Sequence, residues 1–284
     1  MIQTGATDRH RFLKFTDKGK WKIMGNTGNT KKIKLTPVSV WHYVRLTYRS
    51  ILFILLIIGY VRYRFIYHEP FIIGLEKMPV IIYVVWAVYV IEMLFRFFPS
   101  KLESPGCQKQ FARNYIKTGE TDIIIPDNNG TVLALFIWIV FNLIFGALHM
   151  KGILDDGIMI LLCGAYSVCD LICILFFCPF QSWILKNKCC SACRIYNWDY
   201  AMMFTPLFFV EKTYTWSLLA LSIALLIRWE LTFYLHPERF SEHTNAYLKC
   251  TNCTEKLCTH KKQLHSLWKK TAAYTAERKK ALEK

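Results

Sequence analysis

The sequence predicts an all-α integral membrane protein with six transmembrane helices, the fifth short or re-entrant. Both termini are expected to be cytoplasmic, with a small cytoplasmic cysteine-rich metal site. Three observations lead there. The 284-residue chain is 54% apolar yet carries a net charge of +16. Its apolar residues come in runs long enough to cross a bilayer, and its 11 cysteines are clustered. So much apolar surface excludes an intrinsically disordered chain, and unbroken runs of this length are foreign to a soluble domain.

The charge divides by position. Residues 1–49 hold 11 Lys and Arg against 2 Asp and Glu, and residues 236–284 hold 11 against 5. The block between them, residues 50–235, is almost neutral, with 14 against 13. The chain therefore reads as a basic amino-terminal segment (1–49), a membrane domain (50–235, with internal loops 99–130 and 181–194) and a basic carboxyl tail (236–284). No apolar run precedes Ser50, so no cleaved signal peptide is expected and the first span acts as its own insertion signal.

The spans follow in order. A hydrocarbon core of about 30 Å needs roughly 20 helical residues. Ser50–Tyr67 supplies the first, with Arg62 and Arg64 snorkelling at its far end. Pro79–Phe98, Thr131–His149, Ile158–Phe180 and Trp216–Leu235 supply four more. Five spans would put the two basic tails on opposite faces, against the positive-inside rule. The loop holding Lys101, Lys109, Arg113 and Lys117 and the loop holding Lys186, Lys188 and Arg194 read as internal. One further crossing is then required, and Ile195–Val210, interrupted by Pro206, provides it.

The cysteines are the chemical signal. Cys163, Cys169, Cys173 and Cys178 fall in the fourth span and read as small packing residues. Six others form two clusters: Cys189, Cys190 and Cys193 before the fifth span, and Cys250, Cys253 and Cys258 after the sixth. Each cluster contains a C-x2-C pair, a spacing that turns two sulfurs toward one point and suits a metal. A helical hairpin returns both clusters to the same face. Cys190, Cys193, Cys250 and Cys253 are the leading ligands, with Cys258 and Cys189 in reserve. Four thiolates suit zinc and an iron–sulfur cluster equally, so the cofactor stays open between the two.

Four acids fall in or at the ends of spans. Glu92, Asp170, Glu230 and Asp199 form either a proton or cation route beneath the thiolate site or an internal salt-bridge network. Glu92 and Arg96 have the spacing of a helix-surface ion pair, whereas Asp170 has no local partner. Asn197 and Asp199 are placed to cap the short span or to steady the cysteine ligands. In the amino tail, Lys20–Met24 and Lys31–Leu35 are spaced for a hairpin, and Gln263–Lys284 favours a helix.

Basic tails beside spans bind membrane lipids with anionic headgroups, and no nucleic-acid-reading motif is present. No phosphate-binding glycine loop, H-E-x-x-H, G-x-S-x-G or C-x-x-C-H motif occurs. The leading expectation is a membrane electron-transfer component of the plasma or inner membrane, exchanging with a quinone or a soluble redox carrier. The alternative is a membrane transporter or scaffold protein with a structural zinc site.

Overall fold

A computed structural model describes residues 13–15, 21–23, 36–99, 108–125, 128–185, 193–252 and 261. The chain divides into two compact units, Met1–Lys34 and Leu35–Lys284. In the first, strands β1 (Leu13–Phe15) and β2 (Trp21–Ile23) pair antiparallel with Lys14 opposite Lys22. The Lys20–Met24 run thus contains a strand, but its partner precedes it. Leu-Lys-Phe and Trp-Lys-Ile share the period-2 pattern of a strand and lie close in sequence. The expected partner, Lys31–Leu35, lies outside the described residues.

The second unit is helical. Its helices are α1 (Pro37–Val61, continued by a π-turn over Arg62–Ile66), α2 (Phe71–Glu76), α3 (Pro79–Phe95), α4 (Asn128–Met150), α5 (Asp156–Leu175), α6 (Asp199–Phe204) and α7 (Thr213–Leu235). Four stretches are long and apolar enough to cross a membrane: Pro37–Ile66, Asn129–Met150, Asp156–Leu175 and Thr213–Leu235. Helix α3 is a shorter apolar helix of 17 residues.

The burial pattern of α1 is inverted. Val38, Ser39, His42, Arg45 and Arg49 form the buried stripe of α1, while Ile51, Ile54, Leu55 and Ile58 are exposed. In water this inversion would be ruinous; in lipid the apolar face is the solvated one. Helix α1 also starts at Pro37 rather than near Ser50. Thr36 caps it, its hydroxyl accepting from the Ser39 amide at 3.2 Å, and Pro37 supplies the preset φ of a first helical residue. Helix α5 ends at Leu175, before Phe180, because Pro179 disfavours helical geometry just ahead of it. On α7 the buried residues Thr215, Leu218, Ser222, Leu225 and Trp229 repeat at alternating steps of three and four, the seam of a packed helix.

Between α5 and α7 lies a broken helix. It runs as a 3-10 turn over Arg194–Trp198, then α6, then a second 3-10 turn over Thr205–Phe209 that begins around Pro206. Met203, Phe204 and Leu207 from this segment join Tyr89, Leu218, Leu225 and Trp229 in the main apolar core. At its start, Arg194 pairs with Glu230 near the carboxyl end of α7, and Asp199 pairs with Arg96 just past α3. At its finish, the Phe209 ring lies 6.2 Å from His149 at the end of α4, and Lys212 pairs with Glu76 of α2.

Gly146 of α4 is where Phe209 fits: a Cβ there would sit inside the Phe209 ring. Gly146→Val is therefore expected to destabilise the protein by about 1–3 kcal/mol through overpacking. A thermal melt in detergent checks this, with Gly152→Val, at a position with no neighbour around its Cβ but φ +70°, serving to separate crowding from backbone strain.

A small cap closes one end of the helices. Residues 108–125 and 236–252 are stitched together by Thr118 N–H to the Thr244 carbonyl (3.2 Å), Ala246 N–H to the Ile116 carbonyl (2.8 Å) and Asn245 Nδ2 to the Lys109 carbonyl (3.0 Å). Asn245 and Ser241 are fully buried there.

Candidate functional site

At the cap end of the bundle, three arginines are buried among three acids. Arg45 and Arg49 are each 1% exposed and Arg96 is 2% exposed. Arg45 Nε lies 3.0 Å from Glu92 Oε1, and Arg49 reaches Glu92 Oε2 at 2.5 Å. Tyr48 donates to Glu92, and Tyr200 adds a fourth group at 3.2 Å. Arg49 also donates to the Ser167 carbonyl at 3.1 Å and lies 3.6 Å from Asp170. Arg96 grips Asp199 with two bonds, at 2.8 and 2.5 Å, the fork geometry that makes Arg–carboxylate pairs strong. The Tyr200 ring connects the two halves, with the Arg96 guanidinium 4.8 Å and the Arg49 guanidinium 5.9 Å from its centre.

Three of the four expected acids, Glu92, Asp170 and Asp199, thus belong to one network. Glu230 stands apart, bonded to Arg194 and to Trp198 Nε1 (2.6 Å). The expected Glu92–Arg96 surface pair is not formed. The two residues point to different partners because both are buried, where each needs a full counter-charge. Asp170, without a partner in its own helix, finds Arg49 across the helix interface and is the most loosely held of the three. Arg228 stacks on Phe97 (5.2 Å) and Phe111 (5.7 Å).

Beside this network is a cavity of about 130 Å³ lined by Cys169, Cys173, Cys178, Cys193, Asp170 and Asp199, with aromatic and methionine side chains closing it. Three of the four cysteines assigned to packing therefore face an opening together with one of the expected ligands. Cys163 does pack, its thiol donating to the Met203 carbonyl at 3.1 Å. Cys193 is buried against Ala134, Leu185, Ile195 and Trp198, whereas Cys250 is exposed on the cap. Cys189, Cys190, Cys253 and Cys258 lie outside the described residues. Among the described residues, no three His, Cys, Asp or Glu side chains converge on one metal position.

A second opening, about 790 Å³, runs between α4, the broken helix and α7. Helix α4 forms one wall, meeting its neighbours through Ala134 in the cluster with Leu185, Cys193 and Trp198, through Trp138 Nε1 to Thr205 Oγ1 (3.4 Å) and through Gly146 on Phe209. The walls extend from Thr131 to Met150 along α4 and are almost wholly apolar. The polar end is formed by Arg194, Trp198 and Glu230. Asn142 lines the wall midway, 4% exposed, and its Oδ1 has no hydrogen-bond partner among the described residues.

No protein-family model, curated protein or solved structure matches this chain. Its site must be read from its own geometry. Sequence reasoning missed Arg45 and Arg49, counted there as tail charges. Their signal was available: Val38, His42, Arg45 and Arg49 repeat at helical spacing on one face. It missed the groove as well, for which the sequence carries no signal, since the gap depends on how α4, the broken helix and α7 pack.

Proposed function

We propose that this is a six-pass membrane electron-relay protein. A quinone in the lateral groove exchanges electrons with a cysteine-ligated centre on the face that carries both termini. The observation behind this reading is an adjacency: Arg194, at the polar end of the groove, directly follows Cys193, the buried cysteine of the first cluster. A membrane-soluble redox ligand and a centre built from that cluster would then be neighbours.

The crossing number is supported by contacts at the two ends of the broken helix. Its ten 3-10 residues rise about 2 Å each and its six α-helical residues about 1.5 Å, roughly 29 Å in all. That is close to a hydrocarbon core, whereas an all-α segment of the same length would be too short. Its first residues meet the ends of α3 and α7, and its last meet α2 and the end of α4.

The groove suits a quinone with a long apolar tail, because one end is polar and the rest is hydrocarbon-like. Oxidation of a quinol to a quinone releases two electrons and two protons. Glu230 is placed to take one proton and the other would leave to water at the polar end, while an iron–sulfur centre held by the clustered cysteines would accept the electrons one at a time. A soluble redox carrier takes the electrons onward, and the basic tails hold that face against anionic headgroups.

Two measurements bear on the reading. Single-cysteine reporters placed near each terminus should label from the same face of sealed vesicles; labelling from opposite faces contradicts six crossings. In nanodiscs, Glu230→Gln and Trp198→Phe are expected to weaken binding of a short-tailed quinol by about tenfold each, the scale of one lost hydrogen bond to a charged group. Unchanged affinity in both would remove the groove from the relay.

A further inference from the structure

Asn142 is a polar side chain in the middle of an apolar helix, and the relay gives it no part. Its neighbours Phe141, Leu143 and Ile144 are exposed, whereas Asn142 turns inward and is 4% exposed. A buried amide in such a helix is costly unless both of its ends are bonded. One end is bonded. Asn142 Nδ2 donates to the Trp138 carbonyl at 2.9 Å, and because a carbonyl only accepts, this bond fixes which end of the amide is which. The other end, Oδ1, is an acceptor with no partner among the described residues, on a side chain that lines the groove.

The other polar groups of the groove are engaged with one another. Glu230 accepts from Arg194 and Trp198, and the Thr205 hydroxyl donates to the Ala201 carbonyl (2.7 Å) while accepting from Trp138 Nε1. The charged end is also distant. Ala134 packs with Trp198 there, and Asn142 follows Ala134 by eight residues, about 12 Å along α4. Beside Asn142 the wall is apolar, with Ile139 and Leu143 next to it and Phe209 one turn on, against Gly146. A water there would lack the two to four polar partners that hold one in place. What such a spot accepts is a donor carried on an otherwise apolar body.

We propose that Asn142 is a hydroxyl-recognition residue: the ligand of the groove is an apolar molecule whose O–H donates to Asn142 Oδ1. A group that only accepts, such as an ether or a quinone carbonyl, sets oxygen against oxygen and leaves both unpaired. The hydroxyl has two sources. One is a quinol headgroup on its way along the groove to the polar end; in that case the inference rests on the relay reading, and the groove favours the reduced carrier over its oxidised product. The other is a lipid alcohol, which needs no relay.

The test titrates the full chain in nanodiscs with two matched pairs, empty nanodiscs being subtracted. The pairs are a short-tailed quinol with its quinone, and dodecanol with its methyl ether. Wild type is expected to favour the hydroxyl member of at least one pair by about tenfold or more, the scale of one buried hydrogen bond. Asn142→Leu and Asn142→Ala should each cut that preference about tenfold. The ratio within a pair, unlike either affinity alone, is insensitive to a change in groove width. A preference in the quinol pair identifies the quinol. A preference in the alcohol pair alone upholds the hydroxyl site and removes the quinol from it, so that the relay fails separately. No binding of any of the four, equal binding within both pairs, or a preference that both variants keep overturns the proposal. Quinol and quinone that bind wild type equally well would leave the relay standing without it.

Discussion

Glu92→Gln is expected to cost the folded protein about 3–5 kcal/mol, because it removes one partner of a buried ion pair and leaves the other charged. Glu92 is the meeting point of Arg45, Arg49, Tyr48 and Tyr200. Two guanidiniums with 1% of their surface exposed would then face a neutral amide. Asp170, at 3.6 Å from Arg49, would remain as a described acid near them. The loss should appear as a drop in melting midpoint of the order of 10 °C in fluorescence-detected size exclusion. Glu92→Asp, which keeps the charge on a shorter arm, should lose less. A Glu92→Gln protein that melts with wild type would mean that these arginines do not depend on Glu92.

Asp199→Asn should cost a similar amount, about 3–5 kcal/mol, for the same reason at a different joint. Its two bonds to Arg96 tie the start of the broken helix to the end of α3. Here a paired variant sharpens the test. Replacing both partners, as R96M/D199L, removes both charges together and should recover most of the loss, since apolar replacements of buried pairs are often neutral or stabilising. The same thermal melts read both variants. If the double variant melts as low as Asp199→Asn alone, the loss comes from something other than an orphaned guanidinium.

These two joints show why the long apolar helices were legible in the sequence and the contacts between them were not. Apolar runs announce lipid-facing helices directly, and the four long stretches fall where the runs are, although α1 extends back to Pro37 and α5 stops at Leu175. The charge count treated Arg45 and Arg49 as tail residues because no apolar run surrounds them. Their burial depends on Glu92, far along the chain, and pairing at that separation leaves no local pattern. The acids were recognisable individually, since a carboxylate in a span must find a partner. Which partner each finds is a tertiary fact: Glu92 passes over Arg96, and Asp170 crosses to Arg49. The cysteines divide in the same way. C-x2-C spacing flags a turn, but that Cys173 and Cys178 line one cavity with Cys193 is a matter of packing that no local pattern announces.

The most direct test of the electron-relay proposal is spectroscopic. Protein purified anaerobically should contain iron and show an iron–sulfur absorption band that bleaches when a short-tailed quinol is added. Electron paramagnetic resonance should record the reduced centre, and both signals should be lost in Cys190→Ser and Cys250→Ser chains that still fold. A colourless protein holding one zinc and indifferent to quinol would contradict the relay and leave the cysteine clusters as a structural clip.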